Sequence, residues 1–191
     1  MCVIAASRAG VPQPTIRQLE TCFRHNPHGA GYMYARDGKV TIHKGFMTWK
    51  DFYNAVTQEQ FTAADPVVYH FRIATQAGIN PEMTHPFPLT PKLEHTTRLD
   101  LTCPVGIAHN GIIRMTSCPG SHYSDTALFI TEYMTKLIRK RADVSDEDIL
   151  TMIDLLTNSK WAIMTGAGDI ETVGRFIHEP NGLIFSNGTY L

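Results

Sequence analysis

The chain commits to a strand almost at its first residue. Cys2-Val-Ile-Ala-Ala6 is a short, unbroken apolar run, and a strand that starts at residue 2 buries a terminus that would otherwise fray. Alternating elements follow. Thr15 can cap a helix with Ile16, Leu19, Cys22 and Phe23 on one face, and Asn26-Pro27-His28-Gly29 stops it. Residues 30–35 and 39–43 flank Asp37-Gly38, which reads as a hairpin. Thr48 opens a second helix with Trp49, Phe52, Tyr53 and Val56 at helical spacing, an arrangement of core packing.

The middle is β-rich: residues 66–74 and 103–109 read as strands around a long irregular loop of Pro, Thr and His. From Asp125 to about Arg141 the spacing of Leu128, Ile130, Tyr133, Met134, Leu137 and Ile138 is helical. Ser145-Asp-Glu-Asp148 resembles an acidic helix start leading into Ile149, Met152, Ile153 and Leu156. Strands return at 161–165, 172–177 and 182–186. Strands, then helices, then strands point to an α+β chain of layered sheets with helices outside. Without an internal repeat or a Pro-rich or Ser/Gly-rich linker, residues 1–191 are expected to form one domain.

Composition narrows the function. Seventeen basic against eighteen acidic residues leave a formal charge of −1, with no surplus to gather around nucleic acid or anionic lipid. No apolar run approaches the roughly 20 residues of a membrane helix, and the first residues lack a secretory signal, so the expectation is a cytoplasmic protein. The four cysteines, Cys2, Cys22, Cys103 and Cys118, form no CxxC and are expected to be reduced.

Cys2 needs its own explanation. An initiator Met before a small residue such as Cys is normally removed, which leaves one residue carrying both a thiol and a free α-amine. A thiol of pKa about 8.5 is only a few per cent thiolate at neutral pH, whereas an α-amine of pKa about 7.7–8.0 can take its proton directly or through one water. Nucleophile and base then arrive together.

Two further segments extend this reading. His70-Phe-Arg-Ile-Ala-Thr-Gln-Ala-Gly78, followed by His85-Pro-Phe87, and Ala108-His-Asn-Gly-Ile112, followed by Ser124-Asp-Thr126, together resemble the class II glutamine amidotransferases. That N-terminal-nucleophile (Ntn) family hydrolyses glutamine for ammonia; the resemblance covers about residues 2–130, and Gly182-Leu-Ile-Phe-Ser-Asn-Gly188 looks like the closing strand of its short members. It implies a four-layer αββα sandwich, Cys2 as nucleophile, and Asn110 and Gly111 as the oxyanion hole. It also implies that Arg72 holds the α-carboxylate of L-glutamine, that Asp125 holds its α-ammonium, and that Thr75 and His85 line the pocket. Metals and organic cofactors have no part in that scheme. Gly29-Ala-Gly31 resembles the glycine-bearing strand that lies against the nucleophile, with His28 near a position the synthase-linked members fill differently.

Synthase-linked relatives carry a second catalytic domain, and 191 residues are about what the glutaminase half occupies. The expected partner is therefore a separate ammonia-accepting synthase, in nucleotide or base modification, as for similar short forms in bacteria and their phages. Two alternatives stand beside it: a hydrolase of γ-glutamyl or other amides, and a non-catalytic binding or regulatory scaffold with an unprocessed terminus. His70 and His109 read as core histidines, Cys22 and Cys103 as core thiols. Cys103, His109, Cys118 and His122 invite a zinc reading but lack a second short-spaced ligand pair. Lys136, Arg139, Lys140 and Arg141 read as a solvated face near a helix end.

Overall fold

A computed structural model describes residues 1–75 and 77–191, apart from the side chains of residues 141 and 142. Gln76 of the motif between His70 and Gly78, and the side chain of Arg141, therefore lie outside the described residues. The architecture is mixed α and β with antiparallel sheets. In chain order the elements are β1 (Val3–Ser7), α1 (Ile16–His25), β2 (Ala30–Arg36), β3 (Lys39–Phe46), α2 (Trp49–Glu59), β4 (Val67–Phe71), β5 (Phe87–Pro88), β6 (Asp100–Cys103) and β7 (Val105–Asn110). Then come α3 (Asp125–Phe129), α4 (Thr135–Leu137), α5 (Glu147–Thr157), β8 (Lys160–Thr165), β9 (Ile170–Val173), β10 (Ile177–His178) and β11 (Ile184–Phe185).

One sheet has seven strands in the order β10-β11-β1-β4-β2-β3-β6, the other four in the order β5-β7-β8-β9. The opening strand lies inside the larger sheet, antiparallel to β4 on one side and β11 on the other. Its apolar run is unbroken because both of its faces are covered. Val3 and Ala5 join Leu19, Cys22, Phe23, Phe52 and Val56 in a core between that sheet and α1 and α2. Ile4 and Ala6 join Met33, Ile42, Ala108, Ala162 and Met164 in a core between the two sheets. A third cluster packs Ile107, Trp161 and Ile163 of the smaller sheet against Phe129, Ile130, Met134 and Ile153.

The helices begin where their caps predict. The Thr15 side chain accepts from Gln18 N–H while the Gln18 side chain accepts from Thr15 N–H, and the Asn26 amide closes the other end on the Cys22 carbonyl. Thr48 caps α2 through Asp51 N–H, and Asp146 caps α5. Three apolar positions face outward instead of inward: Ile16, Met152 and Leu156 are each more than two-fifths exposed, and Tyr53 is 39% exposed.

Three stretches that read as continuous are divided. Residues 103–109 break at Pro104, which has no N–H to give a ladder: β6 ends in the larger sheet at Cys103 and β7 starts in the smaller at Val105. Residues 172–177 break at Gly174, whose φ of +81° and close approach to the Ser159 carbonyl exclude a side chain, as the chain crosses back from β9 to β10. The helix from Asp125 passes through a π-turn at Ile130–Met134 and ends at Leu137. There the Thr131 and Thr135 hydroxyls bond the carbonyls of Ala127, Leu128 and Thr131, competing with the regular ladder. Arg139 and Lys140 thus lie beyond the helix, where Arg139 Nε donates to the Lys136 carbonyl. Among the described residues no helix is long and apolar enough to cross a membrane.

Candidate active site

Strand register brings the first two candidates together. Val3 pairs with Phe71 in the antiparallel β1–β4 ladder, so the next residue outward on each strand, Cys2 and Arg72, leaves the sheet at the same end. The half-buried Cys2 Sγ accepts from Ile73 N–H at 3.4 Å, and the Asn187 amide donates to the Cys2 carbonyl at 2.7 Å. Burial pushes the thiol pKa up; the Ile73 N–H, the Arg72 cation and the terminal ammonium pull the other way. Arg72 is 3% exposed and donates through Nη1 to the Gly78 carbonyl at 2.8 Å.

The opposing charge comes from the other sheet's side. Ser124 caps α3 by accepting from Ala127 N–H, which frees the next residue, Asp125, for another task. Its carboxylate accepts from Ile113 N–H at 2.6 Å and Thr126 N–H at 2.9 Å. Burial raises the Asp125 pKa, against those two N–H groups and the Arg72 cation. Cys2, Arg72, Thr75, His85, Gly111 and Asp125 line one small cavity. Its free volume of about 20 Å³ suits a water molecule, and Thr75 is its exposed lining residue.

Asn110 borders a second cavity of about 740 Å³, which shares Cys2, Ile73, Thr75 and Gly111 with the first. Its Nδ2 lies 2.9 Å from Ser186 Oγ, and its buried Oδ1 has no partner among the described residues. Gly111 is required by contact: a Cβ there would meet Ser159 Oγ at 2.3 Å and His109 Nε2 at 3.0 Å, and its φ is not in the left-handed region, so a turn does not explain it.

The histidines are less ordinary than core packing suggests. His70 Nε2 lies 2.9 Å from the His109 carbonyl and ties the two sheets together at the site end, while His109 Nδ1 lies 2.8 Å from Thr126 Oγ1. His85 sits with its ring centroid 4.2 Å from that of His70. Among the described residues His70 Nδ1, His109 Nε2 and both ring nitrogens of His85 are buried without a partner. Burial lowers the pKa of His70 and of His109 to about 3 and that of His85 well below its ordinary value, so all three are neutral imidazoles.

Several supporting residues carry no motif. Ser186, Asn187 and Lys160 bond around Asn110 and Cys2 from more than 25 residues away in sequence. Buried Lys44 donates to the carbonyls of Glu82 and Thr96 and lies 3.9 Å from the centre of the Phe87 ring, anchoring the loop that carries His85. Gly29-Ala-Gly31 is placed differently from expectation: β2 pairs with β4, which separates it from β1. Gly31 fits against the His85 carbonyl, and His28 Nδ1 accepts from Ala74 N–H. The residues of the zinc reading are apart in role: Cys103 Sγ donates to the Val105 carbonyl, Cys118 is exposed, and His122 lies 2.9 Å from Glu82.

No family model matches the chain, and no curated protein is recognisably similar to it in sequence. Among solved structures it is similar to the glutamine phosphoribosylpyrophosphate amidotransferase from B. subtilis complexed with ADP and GMP, at 16% identity and a TM-score of 0.53. The match covers 97% of this chain and 42% of that one, and the likeness is one of fold.

Proposed function

We propose that the chain is a class II glutamine amidotransferase domain with the four-layer αββα architecture of the Ntn hydrolases, hydrolysing L-glutamine to glutamate and ammonia. The observation that carries this reading is one cavity holding a cation, Arg72, a carboxylate, Asp125, and a thiol, Cys2. A free amino acid carries the complementary anion and cation, and its side-chain amide then reaches the sulfur. Once Met1 is removed, the Cys2 amine takes the thiol proton and the thiolate attacks the γ-carboxamide carbon. Asn110 and Gly111 hold the oxyanion. The C–N bond breaks as the ammonium of Cys2 protonates the leaving ammonia, and water activated by the same amine hydrolyses the thioester to glutamate. The ammonia passes to a separate synthase, in nucleotide or base modification.

Glutamate release from glutamine tests the reading directly. Arg72→Lys is expected to raise the glutamine KM by about 10- to 100-fold with a smaller change in kcat, because an ammonium cannot reproduce the two-pronged carboxylate contact. An unchanged KM removes Arg72 from substrate binding.

A second reading rests on the larger cavity. Ile112, Met115 and Leu156 give it apolar walls, and Arg114 stands at its edge. If the γ-glutamyl end sits beside Arg72 and Asp125, a leaving amine larger than ammonia has room on this side of Cys2. Under this reading γ-glutamyl-leucine or γ-glutamyl-phenylalanine outperforms glutamine in kcat/KM by about tenfold or more, the worth of one buried apolar side chain. Glutamine as the better substrate favours the first reading.

A further inference from the structure

The carboxamide of Asn110 is left in an unstable hydrogen-bond arrangement. As placed, Nδ2 lies 2.9 Å from Ser186 Oγ, and the same oxygen accepts from Ile4 N–H at 2.9 Å. A hydroxyl offers two lone pairs and one proton. Accepting twice fills the lone pairs and leaves the proton of fully buried Ser186 with no acceptor among the described residues, while Asn110 Oδ1 is buried with no donor. Oxygen and nitrogen of an amide have the same shape, and their assignment follows from the hydrogen bonds they make.

Exchanging the two atoms repairs the network. The Ile4 N–H can only donate, so it fixes the serine oxygen as its acceptor, and the hydroxyl proton then goes to Asn110 Oδ1. The chain runs one way, from the Ile4 N–H to the Ser186 hydroxyl to the Asn110 carbonyl oxygen. Nδ2 becomes the unpaired group on a residue that lines the same cavity as Cys2, and an unpaired donor stabilises an oxyanion where an unpaired carbonyl oxygen would repel it. We propose that Ser186 is a positioning residue that turns the Asn110 carboxamide so that its NH2, not its oxygen, faces the reacting centre; this rests on the glutaminase reading above.

The serine is itself held in place. Its N–H donates to the Ile4 carbonyl at 2.9 Å, and its carbonyl accepts from the Lys160 ammonium. The next residue, Asn187, donates to the Cys2 carbonyl. The segment after β11 thus braces the oxyanion donor with one side chain and the nucleophile with the next.

The test compares glutamine kinetics of the full chain with those of Ser186→Ala, Asn110→Ala and the double variant. Ser186→Ala is expected to lower kcat about 10- to 100-fold with KM within about twofold, the scale of one misdirected donor. Asn110→Ala lowers kcat about 10²- to 10³-fold, and the double variant matches it, because Ser186 acts through Asn110. Ser186→Thr, which keeps the hydroxyl, restores most of the rate. Multiplying effects in the double variant, or a loss carried by KM, overturn the proposal. A wild-type chain that releases no glutamate fails the glutaminase reading, and the amide orientation is then read by itself from the ¹⁵N-labelled wild-type protein. Weak nuclear Overhauser contacts between the Asn110 amide protons and the Ser186 β protons support the exchanged orientation, and strong ones overturn it.

Discussion

Cys2→Ala is expected to remove glutamine hydrolysis down to the assay floor, a loss of about 10⁴-fold or more, since a covalent route has no substitute for its nucleophile. Stability changes little, because the half-buried thiol makes only weak contacts with the Ile73 backbone. A second chain isolates the base: one carrying an uncleavable N-terminal extension keeps the thiol and loses the free amine on Cys2. Its rate is expected to fall by about 10²- to 10⁴-fold, the usual worth of a positioned base. That loss should be large here because burial pushes the thiol pKa up, so the resting group is a thiol that must give up its proton. His85 and His109 border the same small cavity as Cys2, but among the described residues no imidazole is hydrogen-bonded to its sulfur, and the rings are held by contacts with Thr126, Trp161 and each other, so none is placed to take over. Intact mass shows whether Met1 is gone from the active form. An extended chain as fast as the processed one sinks the amine as base, and a Cys2→Ala variant as fast as wild type sinks the enzyme.

What was legible in the chain follows from the range of the interactions that decide each feature. Caps act within three or four residues, so Thr15, Thr48 and Asp146 announce their helices. The Asp37-Gly38 turn likewise sits between strands that pair residue by residue from Arg36 and Lys39 outward. Sheet assignment is set by distant partners. Nothing local distinguishes a strand of residues 103–109 from one that changes sheet at Pro104, and Gly174 hides the same crossing in residues 172–177. The site divides along the same line. Cys2, Arg72, Gly111 and Asp125 stand in short motifs, and the role proposed for each constrains both residue type and local backbone. Ser186, Asn187 and Lys44 serve through single long-range hydrogen bonds, which any polar residue in the right place can supply, so no pattern marks them. The unpaired nitrogens of His85 and the contact that keeps Gly111 bare exist only once the two sheets face each other.

Acid should unfold this protein early, because His70, His85 and His109 are buried as neutral rings. In the unfolded chain a histidine takes a proton near pH 6.5, whereas burial lowers His70 and His109 to about 3 in the fold. Their neutrality therefore contributes stability that is fully present above about pH 6.5 and is lost as pH falls toward the folded values. Each group approaches a loss of about 1.4 kcal/mol per pH unit below its unfolded value, so two of them lose roughly 3 kcal/mol between pH 6.5 and 5. His85, also pushed well below its ordinary value, acts in the same direction. Asp125 opposes them: its raised pKa makes the fold bind a proton more readily than the unfolded chain, a gain that begins as pH falls through the raised value, above the ordinary carboxylate range, and that involves one group. Against a typical total of about 5–15 kcal/mol, the histidine loss is large. The urea midpoint is expected to drop steeply from pH 7 to pH 5 with an unchanged m value. His70→Gln keeps a donor toward the His109 carbonyl and removes one titrating ring, so its midpoint should depend on pH less steeply, by about one proton. A wild-type midpoint that does not move across this range would mean that the rings bind protons in the fold. The floor of the pocket would then carry positive charge beside Arg72, and an amino acid's ammonium would be repelled from the place where Asp125 is proposed to receive it.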